Sequence, residues 1–178
     1  WKERIKNAFP GQPYTLHPPH MTLINSEVIN EKDGLIAISA VINSIKPFQI
    51  SVNSKDLFWD DSFTGGHTLF FGVEYNDALF KLQKSIANGL KPLIKKIPPP
   101  DNIIDNKIFL DSFKTYGFPF VGKHWKPHFS VASLNTIKTN SIIKDFLTKT
   151  DQYDFAVDQF SLWHVDGDKH TQLKTLNF

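Results

Sequence analysis

The sequence contains no cysteine. Disulfide cross-links and thiolate metal centres are therefore excluded, and a reducing, cytoplasmic setting is expected. Arginine is almost absent too, with Arg4 its only representative. No guanidinium cluster exists to grip a long phosphate backbone. The formal charge of +2 points the same way, toward a small anionic ligand rather than a protein that coats nucleic acid. No apolar run approaches the roughly 20 residues that a membrane-crossing helix needs, so no membrane partner is expected. No signal-peptide pattern opens the chain. The sequence opens on Trp1 with no initiator methionine, so trimming upstream is an expectation.

What is present is a chain of 178 residues, 40% hydrophobic and 21% charged. That suffices for one sizeable globular domain or two small lobes sharing a core. Pattern and punctuation predict a short helix over 2–9, ended by Pro10-Gly11. "PYTLHPPHMTLI" reads as extended chain leading into a strand. A helix over 31–45 follows, then a strand over 48–54 and a partner over 67–74, joined by a long loop. Asn76 or Asp77 can cap a helix running to about 96, which Pro92 should kink. The stretch 98–126 reads as irregular. A strand at 127–134, a helix near 138–149, a strand at 154–165, a turn at 166–169 and a strand at 170–178 complete the chain. Trp163 alternates with apolar strand residues and reads as core.

Two hexapeptides share one pattern: "PHMTLI" at 19–24 and "PHFSVA" at 127–132. Composition alone predicts about 0.4 Pro-His pairs in this chain, yet two occur, each followed by a hydroxyl and apolar residues. The elements around them also repeat in order. His20 and His128 lie 108 positions apart, and Phe48 and Phe155 lie 107 apart. An internal duplication is implied, with pseudo-symmetric lobes over roughly 14–96 and 127–178 in a single domain spanning 1–178.

In a strand, residues two apart share a face. His20 would then share one with Thr22, and His128 with Ser130, while Met21 and Leu23, or Phe129 and Val131, anchor the opposite side. Two such strands about one cleft would supply two imidazoles and two hydroxyls. One neutral imidazole can take a proton while the other, as imidazolium, gives one. Hydroxyls can donate to non-bridging phosphate oxygens. The set suits phosphodiester chemistry.

His20-Met-Thr22-Leu23 and His128-Phe-Ser130-Val131 together resemble the twin H-x-[T/S]-h signature of the two-histidine (2H) phosphoesterases, above all the LigT-like 2'-5' RNA ligases and cyclic phosphodiesterases. The resemblance covers nearly the whole chain. It implies an α+β fold, a bilobal duplication in which two antiparallel sheets flank a central cleft with helices outside. It implies His20 and His128 as the catalytic pair and Thr22 and Ser130 as phosphate binders. It also implies action, without a metal or other cofactor, on 2',3'-cyclic phosphates, 2'-5' linkages or oligonucleotide 3' ends. Members usually carry a strand before the first helix, whereas this chain opens on the helix.

Among further candidates, Tyr116, Phe118 and Trp125 could stack a base, and Lys126 could attract phosphate. Covering the core beneath the long loop is the competing role for the aromatics. His17 and His124 lack the spacing of metal ligands and suit the cleft rim or the surface. His67-Thr68 and His170-Thr171 fit structural roles. The expected partner is an RNA end or small nucleotide, met by a monomer. A module that binds such ligands without turnover is the alternative, and a structural protein a weaker one.

Overall fold

The computed structural model describes residues 1–149, 151–167 and 169–178. Its helices are α1 (Lys2–Ala8), α2 (Glu31–Ile42), α3 (Asp77–Leu90), α4 (Asp101–Ile104), α5 (Lys107–Tyr116) and α6 (Ser141–Thr148). Its strands are β1 (Phe48–Phe58), β2 (His67–Val73), β3 (His128–Leu134), β4 (Tyr153–Val157), β5 (Gln159–Asp166) and β6 (Lys169–Asn177). The long helices begin where an asparagine can cap them. Asn30, Asn76, Asn106 and Asn140 each precede a helix, and each side-chain oxygen accepts a backbone N–H from the first turn. Pro92 ends the regular part of α3, and a single 3-10 turn, Lys91–Leu93, follows.

The strands form a four-stranded sheet in the order β3-β2-β1-β4 and a two-stranded sheet, β5-β6. Pairings β1–β2, β2–β3 and β5–β6 are antiparallel, in keeping with the α+β class. By contacts the chain divides into two compact units, each assembled from three separated stretches. The first comprises Trp1–Leu23, Ser51–Tyr75 and Lys126–Asp154. One face of its β1–β2–β3 ladder is apolar. There Leu57, Leu69, Ala132 and Leu134, with Val131, pack against Ile5 of α1 and Ile142, Ile143 and Phe146 of α6. The second comprises Ile24–Ile50, Asn76–Trp125 and Phe155–Phe178. Leu79, Leu82 and Ile86 line the buried stripe of α3 in it. The buried side chain of Gln83 donates to the Phe120 carbonyl (2.9 Å) and accepts the Gly122 N–H (3.0 Å).

Four expectations need correction. Residues 20–24 form no strand. Pro18 and Pro19 remove two backbone donors from the approach, so no ladder forms there, although His20 Nδ1 still lies 2.8 Å from the Pro18 carbonyl. Leu23 is nevertheless buried, so the segment keeps its apolar anchor. Second, 98–126 is not irregular but carries α4 and α5. Asn106 caps α5, and Gly117, at φ 64°, ends it in the left-handed conformation. Third, 154–165 is interrupted at Asp158, because β4 belongs to one sheet and β5 to the other. Fourth, Trp163 is 43% exposed, its Nε1–H donating to Ser161 Oγ. In the expected turn at 166–169, residue 168 lies outside the described residues.

Candidate active site

β3 carries the second motif, and its register on β2 decides what surrounds it. His128 pairs with Gly72, Phe129 with Phe71 and Ser130 with Phe70. The register then shifts, so that Leu69 opposes Ala132. Val131 is thus the extra residue of a bulge, and it joins the core. Paired residues share a face. His128 and Ser130 therefore stand on the face opposite the helices, beside Phe70 and Thr68 of β2 and Asp56 and Phe58 of β1. Gly72 keeps the place opposite His128 clear, since a Cβ there would meet Ser54 Oγ at 2.3 Å.

The His128 ring packs against two phenylalanines, its centroid 5.2 Å from Phe58 and 5.1 Å from Phe70. Lys126 Nζ caps the same pair, 4.6 Å above Phe70 and 5.4 Å above Phe58, while bonding Asp56 Oδ2 at 2.8 Å. Burial drives the His128 imidazole below its ordinary pKa, and the charges of Lys126 and His20 push the same way. The bond to the Lys126 carbonyl and the Asp61 carboxylate oppose that shift. Burial of Asp56 disfavours its charge, but the hydrogen bonds from Lys126 and the Leu57 N–H, with the lysine charge, hold its carboxyl below the usual range.

The two motif histidines are anchored alike. His128 Nδ1 lies 2.7 Å from the Lys126 carbonyl, as His20 Nδ1 lies 2.8 Å from that of Pro18. A carbonyl only accepts, so both Nδ1 atoms carry the proton and both Nε2 atoms are left for chemistry. His67 has the opposite arrangement. Its Nδ1 accepts the Asp60 N–H at 3.1 Å, its ring meets Trp59 edge-on at 5.0 Å, and it is 5% exposed. It is a structural histidine that opens β2 and braces the loop before it.

Among the expected site residues, His20, Thr22, Lys126, His128 and Ser130 all lie in the first unit. Tyr116, Phe118 and Trp125 lie in the second. There the Tyr116 hydroxyl accepts Lys84 Nζ at 2.8 Å, and Phe118 meets Phe120 edge-on. Trp125 is 6% exposed against Phe80, which makes it a core residue. Sequence reasoning missed Phe58 and Phe70, which only strand pairing brings beside His128, and Asp61, whose charge acts on it from the loop between β1 and β2. Among the described residues no group of three or more histidine or carboxylate side chains could hold a metal ion. Nor, among them, is any helix long and apolar enough to cross a membrane.

A family profile described as the 2'-5' RNA ligase superfamily matches residues 1–169. No curated protein sequence matches the chain. Among solved structures, TT0787 of Thermus thermophilus is similar over 99% of this chain and 90% of its own, with a TM-score of 0.61 at 14% identity. E. coli LigT, solved in complex with 3'-AMP, is similar over 98% of this chain and 87% of its own, with a TM-score of 0.53 at 13% identity.

Proposed function

The chain belongs to the 2'-5' RNA ligase superfamily, and from that premise we propose that it is a metal-independent phosphodiesterase acting on 2',3'-cyclic phosphates or 2'-5' linked nucleotides. The observation that carries this reading is the matched anchoring of His20 and His128, each donating Nδ1–H to the carbonyl two residues before it. Each ring thus offers Nε2 to the reaction. The surroundings of His128 disfavour its charge, which suits it to be the base and leaves His20 as the acid.

For a cyclic phosphate the step is a hydrolysis. His128 Nε2 takes a proton from water as the water oxygen bonds to phosphorus. The bond from phosphorus to one ribose oxygen breaks, and His20 Nε2–H protonates that oxygen. A phosphomonoester results, and the two rings have exchanged protonation states. Thr22 and Ser130 hydroxyls would donate to the non-bridging oxygens, where negative charge must be steadied. The complex of the structural neighbour LigT with 3'-AMP supports a nucleotide as the ligand class.

The test is turnover on a panel of 2',3'-cyclic nucleotides and 2'-5' against 3'-5' dinucleotides, with chelator present. Hydrolysis of the cyclic or 2'-5' substrates, undiminished by chelator, is expected. Activity lost in chelator would overturn the metal-free mechanism. Binding without any turnover would make the protein a nucleotide-binding module instead.

A further inference from the structure

Two non-glycine residues among those described have left-handed backbone, Tyr14 at φ 68° and Asp60 at φ 47°. Aspartate enters that region readily because its short side chain bonds locally. A tyrosine does so only when its surroundings force it. Here the chain around it is held on both sides. Lys2 donates its ammonium to the carbonyls of both Tyr14 and His17, the latter at 2.9 Å. Between them Thr15 is buried, its hydroxyl returning to the Gln12 carbonyl at 2.8 Å.

This clamp aims the tyrosine ring along a row of rings. Tyr14 meets His17 edge-on at 6.0 Å, and the His17 ring lies 6.1 Å from that of His20. A nearby carboxylate also acts on this phenol. Asp61 is fixed by the Thr68 hydroxyl (2.6 Å) and the Phe63 N–H (3.0 Å). From that position its charge acts on both Tyr14 and His128. The phenol is therefore related to His20 through the ring row, and the charge of Asp61 bears on both Tyr14 and His128.

We propose that Tyr14 is a substrate-contacting residue of this site, donating its phenol O–H to a phosphate oxygen of the nucleotide that His20 and His128 act on. The proposal rests on the phosphodiesterase reading. Burial and the Asp61 charge both raise the phenol pKa, so the group stays a neutral donor through the working range of the histidines. The strained backbone is then the cost of holding that donor in place, because a glycine would adopt φ 68° freely and supply no hydroxyl.

The experiment compares full-length wild type, Tyr14→Phe and Tyr14→Gly. It measures kcat and KM on 2',3'-cyclic AMP, calorimetric affinity for the same nucleotide, and thermal midpoint. Tyr14→Phe should keep the wild-type midpoint and lose about 10- to 100-fold in kcat/KM, the worth of one hydrogen bond to a charged oxygen. Tyr14→Gly, which relieves φ 68° but gives up the ring's packing on His17, should lose at least as much activity. Unchanged kcat/KM and affinity in Tyr14→Phe would overturn the proposal, as would a loss explained by a lowered midpoint. If wild type binds the nucleotide without turnover, the phosphodiesterase reading fails alone. The Kd of Tyr14→Phe, tenfold weaker or unchanged, then decides the role of Tyr14. If wild type neither binds nor turns over the nucleotide, both fall.

Discussion

His20 and His128 share an anchor and differ in neighbours, and that difference can be measured. Replacing either by alanine should lower kcat on a 2',3'-cyclic nucleotide by about 10²–10⁴-fold, the usual contribution of one positioned acid or base. Circular dichroism should confirm unchanged folding in both variants. The pH dependence follows from the surroundings of His128. Burial and the Lys126 charge depress its pKa, and a base must be neutral to work. The acidic limb of the kcat/KM profile should therefore lie below the ordinary imidazole value of about 6.5. Lys126→Met removes one depressing charge, so the limb should move to higher pH, and a limb that stays or moves lower would contradict the assignment. The same sign applies to folding. A histidine whose folded pKa is depressed binds fewer protons than in the unfolded chain, so its contribution to stability is lost as pH falls below about 6.5.

At the scale of elements, local chemistry and long-range pairing divide the work. The asparagine caps and Gly117 are local signals, and both can be tested locally. Asn106→Ala should cost about 1 kcal/mol by urea unfolding, because two first-turn N–H groups of α5 lose their acceptor. Gly117→Ala should cost about 1 kcal/mol or more. The backbone there sits at φ 64°, and an added Cβ would stand 2.9 Å from Ile94 Cγ2. Strand β3 and helix α6 were legible because their apolar periods are short and uninterrupted. The helices within 98–126 were not, because the prolines before them and the aromatics after them read as loop chemistry. Their asparagine cap and terminal glycine were present in the sequence and outweighed. The break at Asp158 carried no local signal at all, since changing sheets is a property of partners. Trp163 was misplaced for the same reason. Alternation says which residues share a face, and only packing says whether that face is covered.

Across the whole molecule, each compact unit gathers stretches that lie far apart in the chain, so neither core exists until distant segments meet. Phe146 is fully buried and touches Trp1 and Phe71 edge-on, joining three stretches of the first unit. Phe146→Ala should cost about 3–5 kcal/mol in denaturant unfolding, a large share of a typical domain's stability, and should abolish turnover at temperatures the wild type tolerates. The sequence by itself determined which side chains the chemistry has available: two histidine–hydroxyl motifs, each with its own apolar anchor, and no cysteine. Those facts are covalent and local, so they survive any error about the fold. Only the tertiary structure decided that the His128 segment is a bulged strand beside β2 while the His20 segment is not a strand. It alone set Phe58 and Phe70 against the His128 ring and brought the charge of Asp61 to bear on it. The reason is that register and burial are settled by contacts between residues tens of positions apart, and such contacts leave no trace in a local period.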